Sequence, residues 1–375
     1  MATTQLTAVA AVEPSDALIK DATNPIDTGR HTFHLVQVLR GVAAGMVLTH
    51  HATQAWISKV GGIAQNSGWA NGAAGVDIFF AISGFVMVIS TSGRKRPTSA
   101  QFLGRRLIRI APLYWALSLL ALLADVIKSF AGSSVMRTLS VPYVLSSMAF
   151  LPYKLPNGQT SVVVTGGWTL CFEMLFYVLF SLTLLFKVSP LRLLAPIMIL
   201  LASLSVFHQP SWPGIGLFLN PILLEFLGGI LLANAVLSGF RPSRKLAALA
   251  GIAGAILLLV TPDFDSLAVT WRALIWGLPA LLLVAGVIFW EQSAKPAVSG
   301  PMLAVGNASY SLYLIHPFII PVILMVFLRY RTCYGIGVVF VIASISVSIL
   351  AAHFMFKFFE QPVSKRLRRI AGLGR

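Results

Sequence analysis

The stretch His34-Leu-Val-Gln-Val-Leu-Arg40-Gly-Val-Ala-Ala-Gly-Met-Val-Leu-Thr-His50-His51 decides how the rest of the chain is read. It is apolar enough to cross a membrane, yet it carries an arginine near one end and two adjacent histidines near the other. Eleven steps at about 3.6 residues per turn make almost three turns, so Arg40 and His51 leave the helix from nearly the same face, about 16 Å apart along its axis. Ionisable groups at such depth are costly unless they face a protein interior or a wet cavity, which makes them functional candidates. The plain alternative is an arginine that snorkels to a headgroup and histidines that end a helix.

The surrounding chain has 375 residues, of which 57% are hydrophobic and 11% charged. Several separate apolar runs of membrane-spanning length point to an all-α integral membrane protein. A net charge of +16 would suggest nucleic acid in a soluble domain. Here the positive residues sit in short blocks between apolar runs, the pattern that orients a membrane protein, so no nucleic-acid partner is expected. Cys171 and Cys333 form no zinc-type spacing and no disulfide framework. Residues 1–33 hold Glu13, Asp16, Asp21 and Asp27 without a basic start and apolar core, and read as a polar tail rather than a signal peptide.

Ten spans follow: 34–56, 74–92, 107–130, 167–186, 191–207, 215–237, 247–260, 267–290, 302–327 and 335–358. The seventh is short, and a weakly apolar piece lies near 143–151. Loops after even-numbered spans, with the segment after the tenth, hold sixteen lysines and arginines, and the opposite loops hold six. Positive-inside asymmetry therefore predicts a ten-helix bundle with both termini in the cytoplasm. Residues 34–362 form the membrane domain and 363–375 a basic tail.

That orientation assigns depth. His50, His51, Asp77 and Glu173 fall in the outer part of the bundle, and His316 at mid-depth or beyond. Glu173 and Tyr177 share a face, as do Ser309, Tyr313 and His316. A carboxylate beside a histidine fixes its tautomer, which makes His51, Asp77 and Glu173 the candidate catalytic set. Glu225 reads instead as polar glue between helices. On the cytoplasmic side, Arg105-Arg106-Leu-Ile-Arg109-Ile-Ala-Pro112-Leu-Tyr114-Trp115 places arginines ahead of a proline suited to a helix's first turn. Arginine forks and free helix-start N–H groups both match phosphate. Topogenic charge and an interfacial aromatic belt are the plain alternatives.

Together with Gly75-Val-Asp-Ile-Phe-Phe-Ala-Ile-Ser-Gly-Phe85, Trp168-Thr-Leu-Cys-Phe-Glu173, Ser309-Tyr-Ser-Leu-Tyr-Leu-Ile-His-Pro317 and Phe359-Glu360-Gln-Pro362, these motifs resemble membrane acyltransferase family 3 in order and spacing. The first stretch is most similar to the subgroup that acetylates bacterial exopolysaccharides. The resemblance implies a multi-pass protein of the bacterial inner membrane, with acetyl-CoA as acyl donor. The acceptor is a carbohydrate hydroxyl, on a lipid-linked or nascent polysaccharide. It implies that Arg40 and His51 are the family's arginine–histidine pair, with His51 catalytic, and that Arg106 and Arg109 bind the donor. Two departures stand out: His50 sits directly beside His51, and no hydrolase-like domain follows the tenth span.

The resulting expectation is a general base at His51 oriented by Asp77 or Glu173. Arg40, Arg106, Arg109 and Tyr114 would lie on the donor side. Trp168, Ser309, Tyr313 and His316 would hold acceptor or thioester. No metal is expected, because no ligand cluster is evident in the sequence. A transporter or flippase is the rival from another class, and a lipid-linked glycosyltransferase the rival enzyme.

Overall fold

The structure, a computed structural model, describes residues 33–60, 69–93, 96–130, 140–209, 211–261, 271–330 and 335–373. Most of the polar tail, together with Arg94, Lys95, Arg137, Arg331 and Cys333, lies outside the described residues.

Each apolar run holds a helix. In chain order these are α1 (His34–Val60), α2 (Gly75–Thr91), α3 (Ser99–Phe130), a short α4 (Val141–Met148), α5 (Trp168–Leu185), α6 (Pro190–Leu204), α7 (Leu223–Leu237) and α8 (Arg244–Val260). They continue as α9 (Leu278–Ala294), α10 (Gly300–Asn307), α11 (Ser309–Phe327), α12 (Ile336–Met355) and α13 (Gln361–Ile370). A small antiparallel hairpin pairs β1 (Tyr153–Lys154) with β2 (Thr160–Ser161). Among the described residues, seven helical stretches are long and apolar enough to cross a membrane. Outside those seven, α7 and α8 have 15 and 17 residues, while α1 is long but interrupted by Arg40, His50 and His51. The architecture is that of an all-α membrane protein.

Three boundaries differ from the sequence reading. The third helix starts at Ser99, not near 107, because Thr98 and Gln101 form a reciprocal cap: Thr98 N donates to Gln101 Oε1 (3.1 Å) and Gln101 N to Thr98 Oγ1 (3.2 Å). Pro112 is therefore inside α3 rather than in its first turn, and the arginines of 105–109 lie along a continuous helix. The ninth run is broken at Ala308 into α10 and α11. The tenth passes through a π-helical turn, Phe356–Glu360, directly into α13, so most of the basic tail is helix.

Packing follows from the sequence of α1. Val36, Leu39, Ala43, Val47 and Leu48 recur at helical spacing and form its buried stripe. Small residues set a close crossing between α2 and α7. Gly84 of α2 lies against the backbone of Phe226, and Gly229 of α7 against that of Ala81. A Cβ at either position would collide with backbone, so the two helices approach only because both residues are glycine. Beside this crossing, Phe176 stacks on Phe226 at 4.3 Å, which extends the contact to α5.

Candidate active site

Two elements bring the histidine end together. His51 of α1 stacks on His316 of α11, with ring centroids 5.3 Å apart and planes 20° from parallel. His316 Nδ1 lies 3.2 Å from the Leu312 carbonyl. A carbonyl can only accept, so that nitrogen carries the proton and Nε2 keeps its lone pair. This Nε2 is buried and, among the described residues, has no hydrogen-bond partner. Tyr313 meets the edge of His316 at 5.9 Å; its hydroxyl accepts from Thr169 Oγ1 (3.0 Å) and donates to the Gly166 carbonyl (3.2 Å). The start of α5, with Trp168 at its first turn, is thereby tied to the histidine pair. Ser309 is wholly buried at the head of α11. His50 touches His51 at 4.9 Å between ring centroids, with planes tilted by 57°, and its Nδ1 bonds the Trp69 carbonyl at 3.1 Å.

The carboxylates are engaged elsewhere. Asp77 is completely buried and accepts from Arg272 Nη2 (2.6 Å) and Nε (3.1 Å), a two-pronged ion pair. The Arg272 guanidinium also lies over the Trp276 ring at 4.8 Å, with Glu225 of α7 within electrostatic reach. Glu173 accepts from the Tyr177 hydroxyl, its neighbour one turn on, and from Ser83 Oγ at 3.4 Å. The expected orientation of His51 by Asp77 or Glu173 is thus replaced by a ring stack. The physical reason is that a guanidinium satisfies Asp77 and two hydroxyls satisfy Glu173, while His51 is met by the His316 ring, the His50 ring and the Gln54 side chain.

Between the histidines and the arginines lies a narrow cavity with about 60 Å³ open to water centres, room for a few waters. Arg40, Arg109, Ser83, Glu173, Tyr310 and Tyr313 line it, with Phe79 and Phe80 as apolar wall. Phe79 meets Tyr313 edge-on at 5.9 Å, and Tyr313 both lines this cavity and touches His316, so it links the cavity to the His51–His316 stack. Tyr310 closes the side of α3 by donating to the Ile110 carbonyl at 2.6 Å. Glu360, in the π-turn, accepts from Ser311 Oγ at 2.6 Å and lies within electrostatic reach of Arg109 and Arg40. Arg106 spans Phe102 and Tyr177, 5.4 and 5.8 Å from their ring centres, and donates to Ser90 Oγ at 3.0 Å.

Tyr114, grouped with the arginines in the sequence reading, is separated from them. Its hydroxyl bonds Ser147 Oγ at 2.7 Å and its ring packs on Phe150 at 4.8 Å, which fastens α4 to α3. Four cavity or cluster residues had no role in the sequence reading: Arg272, Tyr310, Thr169 and Glu360. The first carried a usable signal, since a lone arginine in the run 271–290 breaks the same depth rule that singled out Arg40. The other three sit inside motifs quoted above, which give no local sign of what these side chains touch.

A family model described as "Acyltransferase domain" matches residues 33–353. The exopolysaccharide production protein ExoZ of Rhizobium meliloti (strain 1021) is 36% identical over 261 residues, covering 67% of this chain and 78% of that protein. No solved structure matches. Arg40, His51, Arg106, Arg109, Glu173 and His316 all lie within the matched region, and the chain belongs to this acyltransferase family.

Proposed function

We propose that the protein moves an acyl group, acetyl in the simplest case, from acyl-CoA to a hydroxyl of an exported or cell-surface carbohydrate such as exopolysaccharide. It works in the bacterial inner membrane with ten crossings and both termini in the cytoplasm, and its acceptor is lipid-linked or a nascent chain. The observation that carries the reading is a cavity lined by Arg40, Arg109 and Tyr313, the last of which touches His316 of the histidine stack. The printed name of the ExoZ relative supports the carbohydrate acceptor.

In this reading the donor's phosphates rest on Arg106 and Arg109, and its thioester arm extends into the cavity past Arg40. Widening is required, since the present space holds only a few waters. The acceptor hydroxyl approaches from the histidine side. His51 takes the hydroxyl proton as the oxygen attacks the thioester carbonyl, the tetrahedral intermediate collapses, and CoA leaves as a thiolate that recovers a proton. The stack holds His51 in place, and Tyr313, fixed by Thr169 and Gly166, borders both the stack and the cavity.

The test is turnover by purified protein in detergent with labelled acetyl-CoA. Label should move to a sugar acceptor, and CoA release should require that acceptor. CoA release that is indifferent to any sugar would overturn the acceptor assignment. Comparing glycan acetylation in cells with and without the gene identifies the acceptor.

A further inference from the structure

The tail after the tenth span reads in the sequence as ordinary basic charge. In the structure it is α13, and it is docked. The helical run from Ile336 to Ile370 has 35 residues, or about 52 Å of helix, against a hydrocarbon core of about 30 Å. Its last turns therefore leave the core, carrying Lys365, Arg366, Arg368 and Arg369.

The docking has a covalent cause in α3. Pro112 has no N–H, so the carbonyl of Ile108 loses its helical donor. Ser364 Oγ of α13 donates to that carbonyl at 3.3 Å. Further along, Leu373 packs on Gly104. Residue 364 thus lies against 108 and residue 373 against 104, so the two helices run antiparallel and Arg368 comes level with Arg105 and Arg106. Arg368 lies within electrostatic reach of Arg105, Arg106 and Arg109.

Charge accounting makes this arrangement informative. Arg40, Arg105, Arg106, Arg109 and Arg368 form a connected group of guanidiniums, and Glu173 and Glu360 are the carboxylates that reach it. Five positive groups face two negative ones, and the buried Nε of Arg105 has no partner among the described residues. Like charges gathered this closely repel one another unless an anion joins them. An anion with several negative charges neutralises the excess; a single phosphodiester does not.

We propose that α13 is a wall of the donor site and that Arg368 binds a phosphate of a nucleotide-bearing thioester, closing the arginine cluster from the opposite side to Arg106. This rests on the donor reading above. It also selects a donor with a pyrophosphate and a further phosphate over an acyl group on carrier-bound phosphopantetheine.

Isothermal titration of the full chain in detergent with CoA, and separately with phosphopantetheine, tests it. Arg368→Gln should weaken CoA binding about tenfold, the loss of one charge-assisted contact, and lessen its salt dependence. It should change phosphopantetheine binding much less. Arg366→Gln is the control, since two residues along a helix turn the side chain about 200°, away from α3. Arg368→Lys should recover part of the CoA affinity. Wild-type CoA affinity in Arg368→Gln, with affinity lost in Arg109→Ala, would overturn the role of α13 and leave the donor site standing. Unchanged affinity in both variants would overturn the donor reading itself. Equal losses in Arg368→Gln and Arg366→Gln would reduce α13 to a diffuse basic surface and overturn the proposal.

Discussion

His51 and His316, from opposite ends of the chain, stack face to face at 5.3 Å. Among the described residues, neither ring is bonded by a carboxylate. Nδ1 of His316 is held by a backbone carbonyl, and each imidazole limits the rotation of the other.

The stack makes a prediction that separates adjacent residues. His51→Ala should lower transfer by about 10²–10⁴, the usual loss on removing a general base, while leaving the protein folded. His50→Ala should retain most activity, because His50 meets His51 only as a tilted neighbour, 4.9 Å between ring centroids and 57° between planes, and its Nδ1 is committed to the Trp69 carbonyl. A protonated imidazole cannot take a proton, so wild-type transfer should also fall as pH drops. Acetyl transfer by both variants at matched expression decides it: equal losses in the two would remove His51 from the role of base.

Arg109→Ala should weaken acyl-CoA binding by roughly 1.5–3 kcal/mol, the worth of a hydrogen bond to a charged group. It is a cleaner probe than Arg106→Ala, which also loses the Ser90 bond and two aromatic contacts. Affinity should fall with added salt in the wild type and less steeply in the variant. Unchanged affinity in the double alanine variant would place the phosphate cradle elsewhere.

Breaking the Asp77–Arg272 pair should act on stability. Asp77→Ala removes the two-pronged partner of a buried guanidinium and leaves it the Glu225 carboxyl within reach, while Arg272→Ala strands a buried carboxylate; breaking a buried pair typically costs about 3–5 kcal/mol. Thermal unfolding in detergent should show both losses, with partial recovery in the double variant. An Asp77→Ala protein that melts like the wild type but transfers nothing would return Asp77 to the chemistry.

Cysteine labelling should find residues near Arg96, Ser243 and Arg368 accessible from the cytoplasm and Asn157 from outside. Asn157 and Ser243 on the same side would contradict ten crossings.

What could be read in the sequence was what is encoded locally. Apolar runs separated by basic blocks specify membrane helices because burial of backbone polar groups in hydrocarbon leaves little alternative. The spacing of Arg40 and His51 put them on one face for the same local reason. The Thr98–Gln101 cap was equally local, yet it lies before the apolar run begins, where a hydropathy reading does not look for a helix. The partners of the buried charges were decided by tertiary structure. Asp77 meets Arg272 across 195 residues, and His51 meets His316 because α1 packs on α11. Helical periodicity says which face a side chain occupies but not which helix will cover that face. That choice depends on small residues such as Gly84 and Gly229, whose missing side chains allow one crossing and exclude others.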